Sequence, residues 1–168
     1  MSDEWLPLVD AEGFPLGQVR RADAHGNPDL LHPVVHCLVS NATGALLLQL
    51  RSRNKDVQPG RWDTSVGGHV AVGESIESAV VREVREELGI EVLFASLQFL
   101  YRYAMRSSIE SELVYTFALS HEGPFRAEPG EIDELRWWSL AEIRSALGTS
   151  IFTPNFEDEF ARYTAANS

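Results

Sequence analysis

Short apolar runs separated by turn residues cover the first part of the chain and predict β-strands. Two of these runs, at 5–9 and 16–20, flank a turn around Gly13, which indicates an N-terminal β-hairpin. A polar connector at 23–29 follows the hairpin, and a loop at 58–63 leads into the segment 64–66. Further strands are predicted at 33–39, 45–50, 97–103, 113–119 and 134–138.

The pattern changes to a helical one at 75–88. Apolar side chains recur there at every fourth position, namely Ile76, Val80, Val84 and Leu88. Gly89 is placed to end this helix. Ser139 can cap a short helix through Leu147, and Thr153 followed by Pro154 is typical of the start of a C-terminal helix. Together these elements predict an α/β fold in which helices pack on a mixed sheet.

Length and composition favour a single globular domain. The chain has 168 residues, of which 44% are hydrophobic and 23% are charged. We expect one domain over 1–168, with the hairpin and connector at 1–30, the core at 31–154 and the C-terminal helix at 153–168. No apolar stretch approaches the roughly 20 residues that a membrane helix requires, so no membrane partner is expected.

The net charge limits the expected binding partners, and the cysteine content indicates the cellular compartment. The formal net charge of −11 disfavours nonspecific binding to nucleic acid or to anionic membranes, which both attract positive surfaces. The single cysteine, Cys37, excludes an internal disulfide, and the N-terminus lacks the features of a secretory signal. Both observations predict a cytoplasmic protein. If such an acidic chain acts on a phosphate compound, a divalent metal ion is the expected source of positive charge.

Three glutamates of the predicted helix share one face and suggest the chemistry. Glu83, Glu86 and Glu87 are separated by three and four positions, so their side chains are neighbours. Each adjacent pair costs roughly 0.2–0.5 kcal/mol through repulsion. A bound divalent cation would convert this repulsion into coordination, and Mg²⁺ suits oxygen ligands of this kind. An acidic helix face taken alone is more often only solvated.

The spacing around these glutamates resembles the Nudix box, G-x5-E-x7-R-E-U-x-E-E-x-G-U, in which U is a bulky aliphatic residue. The matching positions are Gly68, Glu74, Arg82, Glu83, Val84, Glu86, Glu87, Gly89 and Ile90. The resemblance implies an α/β/α sandwich that hydrolyses a nucleoside diphosphate linked to another moiety, with Mg²⁺ or Mn²⁺ as cofactor. A homodimer is expected by the same analogy.

Residue roles follow from this resemblance by position. Glu86 and Glu87 correspond to the main metal ligands, and Glu83 to a further ligand or a group that activates water. The carbonyl oxygen of Gly67 resembles the backbone ligand found just before the box. The two supporting residues are Arg82, similar to the arginine that orients the acidic side chains, and Glu74, similar to the acid that completes this network.

The chain also resembles isopentenyl-diphosphate isomerase, a Nudix-fold enzyme that hydrolyses nothing. The shared segments lie at 44–48, 59–62, 65–69, 73–75 and 110–112, together with Trp137. The isomerase holds its metal with three histidines and two glutamates, which fall here at His25, His32, His69, Glu110 and Glu112. Its diphosphate-binding cations fall at Arg21, Arg51 and Lys55. This second set of ligands suits Zn²⁺ or Mn²⁺ more than Mg²⁺.

Two departures from the isomerase favour a hydrolase. The isomerase has a proton-transferring cysteine just before its Gly-His pair, where this chain has Gly67, and a basic residue at the position of Glu83. The one thiol, Cys37, lies in an apolar strand, which is typical of a small core residue. The isomerase and a non-catalytic Nudix-fold nucleotide sensor stay as alternatives.

Other polar residues leave several roles open. Arg51, Arg53 and Lys55 form a basic cluster that favours a phosphate clamp over a solvated strand edge. Glu112, Glu131 and Glu134 are equal candidates for an assisting acid outside the box. His36 and His121 are predicted to be ordinary surface or core residues. The diphosphate substrate itself is not predicted, because its selectivity depends on loops that carry no recognised signature.

Overall fold

The computed structural model describes residues 4–167, and its elements follow the predicted order. The strands are β1 (Trp5–Val9), β2 (Pro15–Arg20), β3 (Leu31–Ser40), β4 (Leu46–Arg51), β5 (Trp62–Asp63), β6 (Val66–His69), β7 (Gln98–Arg106), β8 (Ser111–Ser120) and β9 (Ile132–Trp138). The helices are α1 (Arg21–Ala24), α2 (Ile76–Leu88), α3 (Leu140–Ala146) and α4 (Pro154–Ala166). The predicted domain range 1–168 also includes residues 1–3 and 168, which lie outside the described part.

The sheet is mixed, as predicted. Strands β1 and β2 form a separate antiparallel hairpin, and the main sheet has the order β5-β4-β3-β8-β7. Strand β6 also pairs with β3, and β9 with β4. β3 and β8 run parallel along their length, whereas the other pairs are antiparallel. β3 is therefore the central strand, and it lies beside both β6 and β8.

Alternation along β3 divides the core into two layers. Val35, Cys37 and Val39 are buried against the apolar face of α2. Leu38 faces the opposite way and is buried with Ile143 of α3 and aromatic side chains of α4. Because successive strand residues point to opposite faces, one strand can pack against helices on both sides. This confirms the predicted helices on both faces of a mixed sheet.

Capping residues begin and end the helices where the sequence predicts. The Ser75 hydroxyl accepts a hydrogen bond from the Ser78 amide at 3.1 Å, and Gly89 ends α2 with a φ of 68°. Ser139 forms a reciprocal capping box with Glu142, and the Thr153 hydroxyl accepts from the backbone of α4.

Several short elements differ from the prediction. Strand β5 lies within the predicted loop at 58–63, and β6 follows it where no strand was predicted. The connector predicted at 23–29 begins inside a short helical turn, α1, in which the His25 amide donates to the Arg21 carbonyl oxygen at 3.0 Å. Ala24 is 1% exposed, so contact with the core stabilises a turn that four polar and small residues would not form alone. Within residues 4–167, none of the helices combines the length and the apolar character needed to cross a bilayer.

Candidate active site

Two adjacent glycines of β6 open the sheet edge on opposite sides. A side-chain carbon at Gly67 would lie 3.2 Å from Cδ2 of His36, on the face covered by α4. A side-chain carbon at Gly68 would overlap the carboxylate of Glu83, which belongs to α2. A cavity of about 1000 Å³ extends over this strand and is lined by residues from both sides. Absence of side chains at these positions therefore joins two groups of polar residues in one cavity.

The box glutamates lie along the α2 side of this cavity. Glu83 and Glu87 are each 9% exposed, whereas the side chain of Glu86 is 44% exposed. The Glu87 carboxylate accepts a hydrogen bond from Nε2 of Gln49 at 2.8 Å and one from the amide of Gly67 at 3.4 Å. The sequence-predicted acids are thus brought together, with two of the three carboxylates withdrawn from water.

Arg82 holds the acidic side chains in place. Its guanidinium donates to Glu74 at 2.7 and 2.9 Å, to Glu83 at 3.1 Å and to Glu86 at 3.3 Å. A further bond at 2.9 Å reaches the carbonyl oxygen of His69 and ties α2 to the end of β6. The hydrogen bonds to Arg82 lower the pKa of Glu74. The orienting role that the sequence resemblance implies for Arg82 and Glu74 stays a prediction, and these bonds are the observation that supports it.

Burial makes the metal-free carboxylate cluster costly to ionise. Burial, together with repulsion from Glu86, raises the pKa of Glu83 to about 7. Burial and the neighbouring Glu83 raise the pKa of Glu87 well above its ordinary range. Desolvation and like charge both disfavour the ionised form of a carboxyl group. A bound cation would reverse this balance, so the cluster has the chemistry of a hard-metal site.

A second cluster lies on the α4 side of β6. His32, His69 and Glu112 place one ligand atom each within 4.8 Å of one another. Nδ1 of His32 is buried and has no hydrogen-bond partner among the described residues. Burial and the neighbouring His32 lower the pKa of His69 to about 3, and burial and Glu110 raise that of Glu112 to about 7. Neutral imidazoles beside a carboxyl group with an unpartnered ring nitrogen fit a transition-metal ion.

The outer members of the isomerase-like set lie next to this cluster. Nε2 of His25 is 3.2 Å from a carboxylate oxygen of Glu110, and both residues line the cavity. Arg21 is 3.4 Å from Glu4, which in turn is 3.9 Å from Nδ1 of His69. The three histidines, the two glutamates and Arg21 that the isomerase resemblance singles out therefore lie close together.

The predicted basic cluster divides into two parts. Arg51 and Lys55 line the cavity, whereas Arg53 does not. Arg51 donates to the carbonyl oxygen of Val57 at 2.9 and 3.1 Å, and Lys55 lies 2.5 Å from a carboxylate oxygen of Glu131. Arg51 and Lys55 therefore bring two cationic side chains to the cavity, and each is bonded to a protein group.

The structure also separates the candidate acids outside the box. Glu112 and Glu131 line the cavity, on opposite sides of it, whereas Glu134 pairs with Leu50 along β9 and lies outside it. Sequence reasoning missed Glu128, which lines the cavity and whose amide donates to the carbonyl oxygen of Glu87. Burial, with repulsion from Glu131 and Glu86, raises the pKa of Glu128. Its place in a Pro-Gly loop before β9 offered no periodic signal.

His36, which the sequence predicts to be an ordinary surface or core residue, is largely buried. Nδ1 of its ring lies 2.7 Å from a carboxylate oxygen of Glu159, and its ring also lines the cavity. The charge and hydrogen bond of Glu159 outweigh burial and raise the pKa of His36. His121, in contrast, accepts from the Gly123 amide at 2.9 Å and packs on Phe125 outside the cavity.

The sequence of this chain is similar to those of known proteins. A family model described as the NUDIX domain matches residues 30–158. An isopentenyl-diphosphate Delta-isomerase of Citrobacter koseri is 34% identical over 154 residues, which cover 89% of this chain and 85% of the relative. A protein of the same name from Escherichia coli is 35% identical over 147 residues, covering 85% and 81%.

Solved structures are also similar to this chain over most of its length. The crystal structure of DR0079 from Deinococcus radiodurans superposes with a TM-score of 0.80 at 27% identity, covering 95% of this chain and 98% of that one. A MutT protein from Methanosarcina mazei superposes with a TM-score of 0.69 at 26% identity, covering 84% and 97%. Both similarities extend well beyond the segment that carries the box.

Proposed function

This chain belongs to the Nudix family, and we propose that it hydrolyses a diphosphate linkage in a metal-dependent reaction. The observation that carries the proposal is the row formed by Glu83, Glu86 and Glu87 along one side of the cavity, with two carboxylates buried. Such a row is unfavourable without a cation and favourable with one. The residues present therefore support hydrolysis by a hard divalent metal ion, Mg²⁺ or Mn²⁺.

The chain's own groups divide the work. Glu83, Glu86, Glu87 and the carbonyl oxygen of Gly67 would hold the ion, which would neutralise phosphate charge and acidify a water molecule. Arg82 orients the carboxylate side chains through its hydrogen bonds to Glu74 and Glu83. Glu128 and Glu131 border the cavity on this side and are candidates to accept the proton of the attacking water.

The substrate class follows from the cations that line the cavity. We assign Arg21, Arg51 and Lys55, which all line the cavity, to the phosphates of the substrate, because guanidinium and ammonium groups bind phosphate oxygens well. The cavity of about 1000 Å³ has room for a nucleoside diphosphate with a further moiety. A nucleoside diphosphate-linked or related compound is therefore the proposed substrate, and a cytoplasmic location and a homodimer stay predictions.

A panel assay tests the reaction class. Purified protein is incubated with nucleotide sugars, nucleoside triphosphates, dinucleotide cofactors, coenzyme A and isopentenyl diphosphate, each with Mg²⁺ and with a chelator. We expect phosphate or nucleotide release from one group of compounds, and at least a hundredfold loss of rate with the chelator. Saturable binding of a nucleotide without turnover would instead identify a non-catalytic sensor.

The isomerase is a second candidate, because His32, His69 and Glu112 assemble as its metal ligands would. Against it, Gly67 offers no thiol at the position where the isomerase moves a proton. Cys37 cannot substitute, since it is buried on the α2 face and burial raises the pKa of its thiol to about 12. Conversion of isopentenyl diphosphate to its allylic isomer, without hydrolysis of any other compound, would establish the isomerase instead.

The same cluster yields a metal-binding prediction. We propose that His32, His69 and Glu112, with His25 and Glu110 nearby, bind Zn²⁺ or Mn²⁺ as a second ion. The protein is first stripped of metal by mild chelation and is then loaded with Zn²⁺. Elemental analysis should find about one zinc ion more per chain in wild type than in His32→Ala. His121→Ala, which changes a histidine outside the cavity, is the matched control. Equal metal content in all three proteins would remove the second site.

A further inference from the structure

His36 lines the cavity on the α4 side of β6. Its side chain is 13% exposed, and Nδ1 is fixed by the bond of 2.7 Å to Glu159. Because that bond determines the orientation of the ring, the opposite edge of the imidazole, which carries Cδ2 and Nε2, has a defined direction. That edge faces Gly67. The ring is therefore held rigidly with one nitrogen inward and the other toward the cavity.

A buried network keeps Glu159 charged and makes His36 its counterion. The Glu159 side chain is 0% exposed and accepts from Tyr103 at 3.0 Å, from Thr116 at 3.2 Å and from the hydroxyl of Tyr101. These hydroxyl groups are neutral. Among the described residues bonded to the Glu159 carboxylate, His36 is the basic one, so it is positioned to be the counterion of this carboxylate.

The outward nitrogen of His36 is available to a ligand. Across residues 4–167, no protein group accepts a hydrogen bond from Nε2 of His36. A side-chain carbon at position 67 would lie 3.5 Å from this nitrogen and 3.2 Å from the adjacent Cδ2, so it would cover the edge. The glycine thus exposes a ring nitrogen that a side chain at 67 would shield.

We infer that His36 is a substrate-binding residue, whose Nε2–H donates to a phosphate oxygen of the diphosphate compound across the opening left by Gly67. The inference rests on the proposed hydrolase function, since it assigns a donor within the same cavity. Anionic phosphate oxygens are the best acceptors for a charged imidazole. The site also lies close to the reacting centre, because the Gly67 amide is 3.4 Å from the Glu87 carboxylate.

The protein charges around His36 favour a ligand whose negative charge is offset by other cations of the site. Glu159, Glu112 and Asp63 all act on the ring, so the surrounding protein charge is negative. These carboxylates would repel a free anion. A diphosphate that Arg51 and Lys55 also bind would be repelled less, because the two cations neutralise part of its charge. This explains why the donor is buried rather than displayed on a basic surface.

Two substitutions of His36 separate substrate binding from a purely structural role. Asparagine places its amide near the position of Nδ1 and keeps a donor for Glu159, but leaves nothing at Nε2. Glutamine reaches the position of Nε2 and restores a donor toward the cavity. Gly67→Ala tests the same edge from the other side, without altering any bond to Glu159. Thermal unfolding of each variant verifies that it is folded.

The variants are compared by kcat and KM on the best panel substrate and by calorimetric binding of methylenediphosphonate with Mg²⁺. We expect His36→Asn and Gly67→Ala each to lower kcat/KM and affinity by about 10–100-fold, as for loss of a hydrogen bond to a charged group. His36→Gln should recover several-fold over His36→Asn, and His121→Asn should match wild type.

The outcomes distinguish this inference from the proposed function. If wild type turns over and both His36→Asn and Gly67→Ala stay within about twofold of it in kcat/KM and affinity, His36 is structural only. If wild type hydrolyses no compound but binds methylenediphosphonate with the expected dependence on His36, the hydrolase proposal fails and the binding role stands. Equal loss in His36→Asn and His36→Gln, with Gly67→Ala unaffected, would also overturn the inference.

Discussion

Glu87→Gln is expected to abolish turnover and, at the same time, to stabilise the metal-free protein. The Glu87 carboxylate is buried beside Glu83, and this proximity together with burial raises its pKa well above its ordinary range. Replacing it with a neutral amide of the same shape removes the repulsion and leaves a group that still bonds to Gln49. We expect at least a hundredfold lower kcat and about 1 kcal/mol higher stability, or a rise of roughly 2–4 °C in Tm.

Two further variants make this result specific. Glu86→Gln should lose a similar share of kcat without the gain in stability, because the Glu86 side chain is 44% exposed and its repulsion is screened by water. Glu77→Gln, in the exposed first turn of the same helix, should leave kcat unchanged. Turnover and Tm are measured with and without Mg²⁺. Retention of more than a few per cent of activity in both Glu86→Gln and Glu87→Gln would contradict the ligand assignment.

Replacing Glu159 with leucine is expected to cause the largest loss of stability. Glu159 is fully buried in α4 and is bonded to His36, Tyr101, Tyr103 and Thr116. Leucine would leave the imidazole without its counterion and three hydroxyl groups without their acceptor. Breaking a buried ion pair from one side costs about 3–5 kcal/mol. Urea unfolding should therefore show a midpoint clearly below that of wild type.

Asp158→Asn is the matched control for this experiment. Asp158 is the preceding residue of α4 and pairs with Arg162 at 3.3 Å, with both side chains about 40% exposed. Exposed pairs of this kind contribute about 0.2–1 kcal/mol, so the midpoint should hardly move. A Glu159→Leu protein as stable as Asp158→Asn would mean that the buried network does not hold α4 on the sheet.

The helices and strands could be predicted because each depends on local pattern. The apolar spacing of Val80, Val84 and Leu88 defines one face of α2, and Ser75 and Gly89 mark its ends. Strands β5 and β6 were missed, because two to four residues carry too little pattern. The other seven strands were recognisable from short apolar runs between turn residues. The short helix α1 was not, because four residues carry too little pattern, and its stability depends on the burial of Ala24.

The candidate site was predictable where its residues lie within one motif. Glu83, Glu86 and Glu87 share a helix face, so their proximity follows from helical geometry alone. Glu128 and Glu131 were harder, since they reach the cavity on a loop from a distant part of the chain. The choice between them and Glu134 depended on the register of β9 against β4.

The sequence by itself determined the Nudix box, the α/β character of the fold and the absence of a thiol at position 67, because these are properties of local order. Only the tertiary structure brought His36 onto Glu159 and opened its other edge at Gly67. Those residues are separated by 123 positions in one case and belong to neighbouring strands in the other. Long-range pairing is decided by how helices pack on a sheet, and a polar residue on an apolar strand carries no sign of its partner until that packing forms.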